Sequence, residues 1–357
     1  MPSEARPDPS LDLLDLIIIG GGQAGLAAAR EASVAGKTYR VLDAGRRAGD
    51  SWRDRYDSLV LFTPKGYSEL AGLRHKRSVG EYPTKDEIAD YLEQYASGLC
   101  IEHNAQVRSL TQRGDEFTAT LANGRAFRSR RVVVATGPFQ HARIPQWSAS
   151  LVPPTVHSSA YRSPLEIPSG RVLVVGGGNS GAQIAEELAV SSRDVTLAVS
   201  APLRFVPGRI LGVSVFVLLS WTRFLDAPTE SRRGRLLRRR GDPVFGTGLR
   251  RLIANGAVDL RPAAVDAVGS EVRFSDGTSG EFEAVVFCTG YSSDYRWLNV
   301  EGALDQDGVP AQAQGISSHV TGLGFVGLGW MRSRSSGLVA GASADAQFVI
   351  RTLFADD

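Results

Sequence analysis

One motif occurs twice in this chain, and the duplication restricts the fold more than any other feature. Residues 16–19 form an apolar run, which leads into the glycine-rich segment 20–25 (Gly-Gly-Gly-Gln-Ala-Gly) and then into a helical pattern. Residues 172–175 lead in the same way into the segment 176–181 (Gly-Gly-Gly-Asn-Ser-Gly). A strand, a GxGxxG turn and a helix form the phosphate-binding end of a Rossmann-like unit. Two such units predict an α/β fold with two Rossmann-like three-layer domains.

The repeat continues downstream of each glycine-rich segment. In the first copy, Asn-Gly at 123–124 separates two β-type runs, and the second run ends in Thr-Gly at 136–137. In the second copy, Asp-Gly at 276–277 and Thr-Gly at 289–290 take the same places. Both dipeptides favour two-residue hairpin turns in which both central residues have positive φ. Each copy is therefore expected to contain a hairpin followed by a buried strand.

Composition and charge exclude several classes of function. The 357 residues favour about two domains, and 43% hydrophobic with 22% charged residues is typical of a globular chain. A net charge of +2 argues against a nucleic-acid partner. Cys100 and Cys288 are too far apart in sequence to form a dithiol motif, and the five histidines show no metal-ligand spacing, so no metal site is expected. Residues 1–12 are polar and proline-rich, which predicts a disordered tail without a secretory signal, and a cytoplasmic location.

The glycine-rich segments are suited to hold a pyrophosphate with backbone N–H groups at the start of a helix. The first glycine allows the tight turn, the second lets the phosphates approach the backbone, and the third lets helix and strand pack closely. The predicted contact residues of the first turn are Gly20, Gly22, Gln23, Ala24 and Gly25. Those of the second turn are Gly176, Gly178, Asn179, Ser180 and Gly181.

The residue after the second strand of each copy distinguishes the two nucleotides. Asp43 follows the strand 39–42, where a carboxylate binds the ribose hydroxyls of an adenosine without a 2′-phosphate, as in FAD. Ser200 stands at the matching place of the second copy and Arg204 follows it, so this site would accept a 2′-phosphate. We therefore expect FAD in the first site and NADPH in the second, with NADH also used.

The duplication also predicts how the chain is divided into domains. Residues 13–160 and 287–357 form the expected FAD domain. Residues 161–286 form an NAD(P)H domain that is inserted into it. The two strand ends at Gly137 and Gly290 mark the crossings between the domains.

The chain resembles the flavin-containing monooxygenases over roughly residues 14–350. The motifs that carry the likeness are 49–52 (Gly-Asp-Ser-Trp), 59–64 (Leu-Val-Leu-Phe-Thr-Pro), 135–137 (Ala-Thr-Gly), 178–181 (Gly-Asn-Ser-Gly) and 289–291 (Thr-Gly-Tyr). The resemblance implies a flavin site that includes Ser51, Trp52, Arg53, Leu61, Thr63, Thr136, Gly137 and Gly290. It also implies a C-terminal helix that starts near Ser335 and Ser336 and points its N-terminus at the flavin, with either serine able to cap it.

The resemblance implies a FAD-dependent NAD(P)H oxidoreductase, most nearly a monooxygenase that uses O2 through a C4a-(hydro)peroxyflavin. Its expected substrates are small sulfides, amines or ketones, and no catalytic side chain stands out in the sequence. The marker motif FxGxxxH would end at His157, but Leu151 and Pro153 replace its Phe and Gly. Two alternatives therefore stay open. One is an NAD(P)H oxidase or reductase with a non-oxygen acceptor, and the other is a non-catalytic redox-sensing subunit.

An apolar run at 210–222 is followed by an arginine-rich stretch at 232–240. The run is too short to span a bilayer. It would serve as an interfacial membrane contact, a substrate lid, a subunit contact in a homodimer, or an insertion packed on the NAD(P)H domain with a solvated basic face.

Overall fold

The computed structural model of the protein describes residues 13–75, 82–222 and 224–355; the expected disordered tail, residues 1–12, lies outside them. The strands before the second glycine-rich segment are β1 (Leu13–Ile19), β2 (Tyr39–Leu42), β3 (Ile101–Glu102), β4 (Val107–Arg113), β5 (Glu116–Leu121), β6 (Ala126–Val134), β7 (His141–Ala142), β8 (Thr155–His157) and β9 (Arg171–Val175). The middle strands are β10 (Asp194–Ala198), β11 (Phe205–Val206), β12 (Arg209–Ile210), β13 (Val213–Ser214), β14 (Val244–Phe245), β15 (Val258–Arg261), β16 (Ala264–Val268), β17 (Glu271–Phe274), β18 (Ser279–Glu281) and β19 (Ala284–Phe287). The C-terminal strands are β20 (Tyr291–Ser292), β21 (Leu298–Asn299), β22 (Gln312–Ala313), β23 (Ile316–Ser317) and β24 (Leu323–Phe325).

The helices alternate with these strands. They are α1 (Gln23–Val34), α2 (Asp50–Arg53), α3 (Lys85–Ala96), α4 (Asn179–Val190), α5 (Val215–Trp221), α6 (Arg232–Arg240), α7 (Gly248–Ala254) and α8 (Val339–Leu353). Short 3-10 turns lie at Lys65–Tyr67, Gln146–Ser150, Pro164–Glu166 and Arg334–Gly337. Helix α3 begins at a capping box, in which Thr84 and Glu87 each bind the other's backbone N–H.

Two sheets share one topology. In the first sheet, parallel strands follow the order β3-β2-β1-β6-β24, and the antiparallel hairpin β4-β5 continues from β6. In the second sheet, parallel strands follow the order β15-β10-β9-β19-β8, and β16-β17-β18 form a separate antiparallel sheet. The α/β fold with two Rossmann-like units that the duplication predicted is therefore confirmed.

The fifth strand of each sheet comes from a different part of the chain. In the first sheet this strand is β24, near the C-terminus, and in the second it is β8, which precedes the glycine-rich segment. Strand β8 lies just before the boundary predicted at residue 160, yet it pairs with β19 of the second sheet. The polypeptide passes between the sheets along β7 and β20, which pair antiparallel with each other.

Side chains of each central strand alternate between two hydrophobic cores. In β1, Leu16 and Ile18 face α1 and α8, whereas Ile17 and Ile19 face the hairpin side of the sheet. All four are at most 4% exposed. Because successive residues of a strand point to opposite faces, a sheet covered on both sides needs such a continuous apolar run. Each sheet thus forms the middle layer of three.

The two hairpin turns differ from the predicted type and match each other. Gly124 and Gly277 have φ of +86° and +85°, but Asn123 and Asp276 do not have positive φ. In both turns the glycine N–H binds the carbonyl three residues earlier. Only the glycine is therefore left-handed, as in a type I turn followed by a left-handed residue, and the prediction of two positive-φ residues was wrong.

The apolar run at 210–222 folds into strand β13 and the seven-residue helix α5 after the short strand β12. Phe216 of α5 is buried and lies 6.0 Å from Phe62 and 5.1 Å from Phe245, measured between ring centroids. Part of the run therefore packs against the segment that follows α2. Within the described ranges, no helix combines the length and hydropathy that a membrane span requires.

Candidate dinucleotide-binding sites

The first glycine-rich turn is closed on two sides and open on the third. Gly20 has φ of +108°, and a Cβ there would lie 2.6 Å from the Ala135 carbonyl oxygen. A Cβ on Gly25 would lie 1.8 Å from the Gly20 oxygen, since helix and strand touch at this point. A Cβ on Gly22 would meet nothing within 4 Å. The open position is the N-cap of α1, where backbone N–H groups have no intrahelical partners and attract an anion.

The second turn repeats this geometry. Gly176 has φ of +120° and sits against the Cys288 carbonyl, and a Cβ on Gly181 would lie 1.9 Å from the Gly176 oxygen. Gly178, the N-cap of α4, again faces open space. The three glycines of each copy thus take the three roles that a pyrophosphate site requires. The residues present fit a dinucleotide at both turns.

The middle glycine of each turn faces the end of the second strand, and here the copies differ. A Cβ on Gly21 would lie 2.7 Å from Oδ2 of Asp43. In the described part of the chain this carboxylate accepts no hydrogen bond, and Nδ1 of His103 lies 3.8 Å from its Oδ2. Gly177 faces only the apolar Val199 and Leu203 side chains. A free acceptor therefore stands beside the first turn alone.

Ser200 and Arg204, the residues predicted beside the second nucleotide, lie after the end of β10. Both are exposed. The Arg204 guanidinium donates to the backbone carbonyls of Arg240 and Gly241, where α6 ends. It therefore binds the end of α6, which the sequence did not indicate.

Asn179 and Gln183 of α4 bind other segments through their side chains. The Asn179 amide donates to the Pro243 carbonyl at 3.1 Å and accepts from the Phe245 N–H at 3.0 Å, which fixes the entry to α7. The Gln183 amide accepts from the Tyr56 hydroxyl at 2.8 Å and donates to the Val60 carbonyl at 3.2 Å. Sequence reasoning missed Tyr56 and Gln183, because their bond joins residues that are far apart in the chain.

Residues 55–60 therefore form a segment that we call the strap, because it joins the end of α2 to helix α4 of the second unit. Tyr56 is 3% exposed, and its burial raises the pKa of its hydroxyl, which stays protonated and donates. The Asp57 N–H also binds the Arg162 carbonyl at 2.9 Å. The strap therefore connects α2 with α4 and with Arg162 of the second unit.

Among the predicted flavin-ring residues, Trp52 and Leu61 pack on the hydrophobic core around α1. Trp52 donates to the Gln23 side chain of the first turn at 3.3 Å, and Leu61 is buried among the residues that surround α1. Thr63 is buried and shares a 2.8 Å hydrogen bond with Ser68. Ser51 is exposed.

The Arg53 side chain contacts residues of α2 and α3. Its guanidinium pairs with Asp50, Asp90 and Glu93 and donates to the Ala48 carbonyl. Burial lowers the pKa of Arg53, but the hydrogen bonds and charges of these carboxylates raise it further, so the net shift is upward. The charge is thus neutralised locally, and Arg53 ties α2 to α3.

The strand end at 136–137 is tied to the segment that follows β20. The Thr136 hydroxyl accepts from Gln140 at 3.0 Å, and the same amide donates to the Gly137 carbonyl at 2.8 Å. The Gln140 oxygen accepts from the Asp294 N–H at 2.8 Å. This amide therefore joins the two crossings between the sheets.

The strand end at Gly290 is surrounded by aromatic and cationic groups. The Gly290 carbonyl accepts from Arg143 N–H at 3.0 Å and lies 3.0 Å from Nε2 of His157. Tyr291 lies edge-on to the His157 ring and accepts a 2.6 Å hydrogen bond from Arg55 of the strap. The strap, the second crossing and strand β8 meet at this point.

Acidification is expected to destabilise the protein through His157. Burial, followed by the Arg55 charge, lowers the pKa of this histidine, although its bond to Gly290 opposes the shift. The unfolded chain takes up the proton near pH 6.5, whereas the folded protein keeps the ring neutral at that pH. The free energy of unfolding, measured with urea, should therefore fall as the pH drops below about 6.5. Burial lowers the pKa of His75 as well, so His157→Gln should make this slope less steep without abolishing it. The exposed control His319→Gln should keep the slope. An unchanged slope in His157→Gln would contradict the assignment.

Ser335 and Ser336 do not cap the C-terminal helix, so that prediction was wrong. Helix α8 begins at Val339 after a 3-10 turn, and its N-cap residue has no side-chain hydrogen bond. Ser336 instead accepts from the Arg332 and Ser333 N–H groups, and Ser335 binds Ser333 through its hydroxyl. These serines therefore stabilise the 3-10 turn Arg334–Gly337 that precedes the helix.

Cys288 is buried beside Gly176, and burial raises the pKa of its thiol to about 12, so it stays protonated. In residues 13–75, 82–222 and 224–355, no cluster of three potential metal ligands occurs.

Comparisons with known proteins agree with this geometry. The family model for pyridine nucleotide-disulphide oxidoreductases matches residues 17–205. An uncharacterized CzcO-like oxidoreductase of Geobacillus kaustophilus is 40% identical over 96% of this chain and 98% of its own length. The indole-3-pyruvate monooxygenase YUCCA4 of Oryza sativa is 29% identical over 97% of this chain and 89% of its own. The solved flavin-containing monooxygenase of Stenotrophomonas maltophilia superposes with a TM-score of 0.81 and 27% identity, covering 97% of this chain and 99% of that one. The chain therefore belongs to the flavin-containing monooxygenase family of flavoprotein oxidoreductases.

Proposed function

We propose that the protein is a monooxygenase that binds FAD at the first glycine-rich turn and NADPH at the second, and oxygenates small sulfides, amines or ketones with O2. The observation that carries the proposal is the same open, glycine-lined helix start in both sheets, with a free carboxylate beside only one of them. Asp43 suits an unphosphorylated ribose, whereas the apolar and hydroxyl surroundings of the second turn leave room for a 2′-phosphate.

The chain's own contribution is binding and orientation, because a bound flavin supplies the two-electron chemistry between nicotinamide and oxygen. The N–H groups at the starts of α1 and α4 bind the two pyrophosphates, and Asp43 accepts from a ribose hydroxyl. Gln23 positions Trp52 beside the first turn, and Asn179 positions the 243–245 segment beside the second. The strap then sets the distance between the two sites, on which the transfer rate depends steeply.

We expect a preference for NADPH because the second site lacks the carboxylate that the first site has. Residues 199–204, which follow β10, contain no carboxylate, and the end of the arginine-rich helix α6 lies beside Arg204. A kcat/KM for NADPH that exceeds the value for NADH is the expected result. A tenfold or greater advantage for NADH would contradict this assignment.

Oxygen is favoured over another acceptor because similar proteins are monooxygenases. The Stenotrophomonas protein and the plant YUCCA proteins are named as monooxygenases. The second candidate, an NAD(P)H oxidase or reductase, remains relevant because Leu151 and Pro153 replace two residues of the monooxygenase marker. Leu151 lies in a bridge to Gly269 and packs on the core of the second unit, so its role is structural.

The test measures the fate of oxygen directly. Purified protein is incubated with NADPH, methyl phenyl sulfide and ¹⁸O₂, and sulfoxide, hydrogen peroxide and NADPH oxidation are quantified. Sulfoxide carrying ¹⁸O supports the monooxygenase. Peroxide in equal amount to the NADPH oxidised, without labelled product from a sulfide, amine or ketone panel, supports the oxidase. Absence of FAD or of any NADPH oxidation would overturn both.

Loss of the strap bond is expected to slow flavin reduction while leaving FAD bound. Tyr56→Phe removes one buried hydrogen bond, a loss of about 1 kcal/mol, and loosens the spacing of the two sites. We expect the anaerobic reduction rate at saturating NADPH to fall about tenfold. Tyr161→Phe is the matched control, because the Tyr161 hydroxyl also donates to α4, at Glu187, but from within the second unit. Equal reduction rates in the two variants would contradict a spacing role for Tyr56.

A further inference from the structure

Helix α6 carries a dense arginine cluster. Six of its nine residues are arginines (Arg-Arg-Gly-Arg-Leu-Leu-Arg-Arg-Arg), and in the described part of the chain none of them forms an ion pair. Only Gly234 is buried, against the Pro228 carbonyl. Such a density of like charge on nine residues repels itself and is stabilised by an external anionic surface.

The cluster surrounds an exposed apolar residue. Leu236 is 51% exposed, and residues 232, 233, 239 and 240 lie three or four positions from it on the helix surface. The Arg233 guanidinium lies 5.9 Å from the ring of Phe224, whose N–H binds the Leu219 carbonyl near the end of α5. The N-terminal half of α6 therefore lies beside the end of α5.

The end of α5 presents a further apolar group. Trp221, its last residue, is 79% exposed. Leu211, at the tip of the β12-β13 hairpin that leads into α5, is 99% exposed and has φ of +49°. A fully exposed leucine with positive φ is unfavourable in water, because its side chain contacts no other apolar group among the described residues.

We propose that α6, together with Trp221 and Leu211, binds the surface of an anionic lipid bilayer. Arginines with an exposed leucine and tryptophan between them match a bilayer interface, where headgroup phosphates pair with guanidinium groups and apolar side chains enter the acyl boundary. A nucleic acid would use the arginines but leaves Leu211 and Leu236 in water.

Sedimentation with vesicles tests this interaction on the full chain. Phosphatidylcholine vesicles with about 30% phosphatidylglycerol should bind the protein, and pure phosphatidylcholine vesicles should not. Binding should weaken as NaCl rises from about 0.05 M to about 0.5 M. Trp221→Ala should weaken binding by about tenfold at low salt, because the apolar part of the contact is lost.

A matched pair of variants separates the arginine cluster from general basic charge. R232Q/R239Q removes two arginines beside Leu236 and should lower the partition coefficient about 25-fold, about fivefold for each. R108Q/R130Q removes two exposed arginines of the first unit and should leave binding unchanged. Equal loss in both pairs would overturn the proposal. So would tighter binding to single-stranded RNA than to the anionic vesicles, or a stable dimer that buries Trp221 and does not bind vesicles.

Discussion

The variant Gly22→Val is expected to fold normally and to purify without FAD. Gly22 has φ of −75° and ψ of −176°, an extended conformation that any residue adopts, and a Cβ there touches nothing within 4 Å. Valine is therefore tolerated by the fold, at a cost of about 1 kcal/mol as an N-cap. Its two methyl groups, however, occupy the space in which a pyrophosphate would approach the N–H groups of α1.

Measured FAD affinity should fall by about 10²-fold or more, because the phosphates lose close contact with the helix start. Absorbance of the purified protein and titration of the apoprotein with FAD give the affinity, and circular dichroism checks the fold. Gly25→Ala provides the contrast, since its Cβ would lie 1.8 Å from the Gly20 oxygen and should disrupt the fold itself. Full FAD content in Gly22→Val would place the flavin elsewhere.

The equivalent change in the second turn should separate the two cofactors. Gly178 has φ of −78° and ψ of −179° and also faces open space, so Gly178→Val should fold. This variant is expected to keep FAD and lose the response to NADPH. The rate of flavin reduction at low NADPH concentration should fall about 10²-fold or more.

The two valine variants control for each other. If the assignment is correct, each loses one cofactor and keeps the other, and chemical reduction by dithionite remains normal in Gly178→Val. If both variants lose FAD, the two turns act on one ligand, and the separate assignment of FAD and NADPH fails. Anaerobic spectrophotometric titration distinguishes these results.

Sequence reasoning identified the features that depend on local backbone geometry. The requirement for Gly25 arises within the six-residue turn, where a Cβ would lie 1.8 Å from the Gly20 oxygen, and the positive φ of Gly20 is likewise a property of the turn. The apolar runs of β1 and β9 are equally local, because a strand buried on both faces needs a continuous hydrophobic run. The duplicated sheet topology follows from these segments and was predictable.

Contacts between distant segments were not predictable in the same way. The strap bond joins Tyr56 to Gln183, and nothing in either local sequence specifies the other. Arg204 is a similar case, because its partners at the end of α6 depend on how the 205–245 segment returns to α4. Ser335 and Ser336 resemble capping residues in sequence, but the capped turn precedes α8 and leaves the helix start at Val339.

The origin of the fifth strands determines the order in which the protein can be completed during synthesis. All strands of the second sheet have been synthesised once residue 287 is added, whereas the first sheet lacks β24 until residue 325 is added. Its core also lacks α8, which packs on α1, until residue 353. The glycine-rich turn that is translated first therefore belongs to the unit that matures last, and a nascent chain that stalls before α8 leaves the apolar face of α1 uncovered and prone to aggregate.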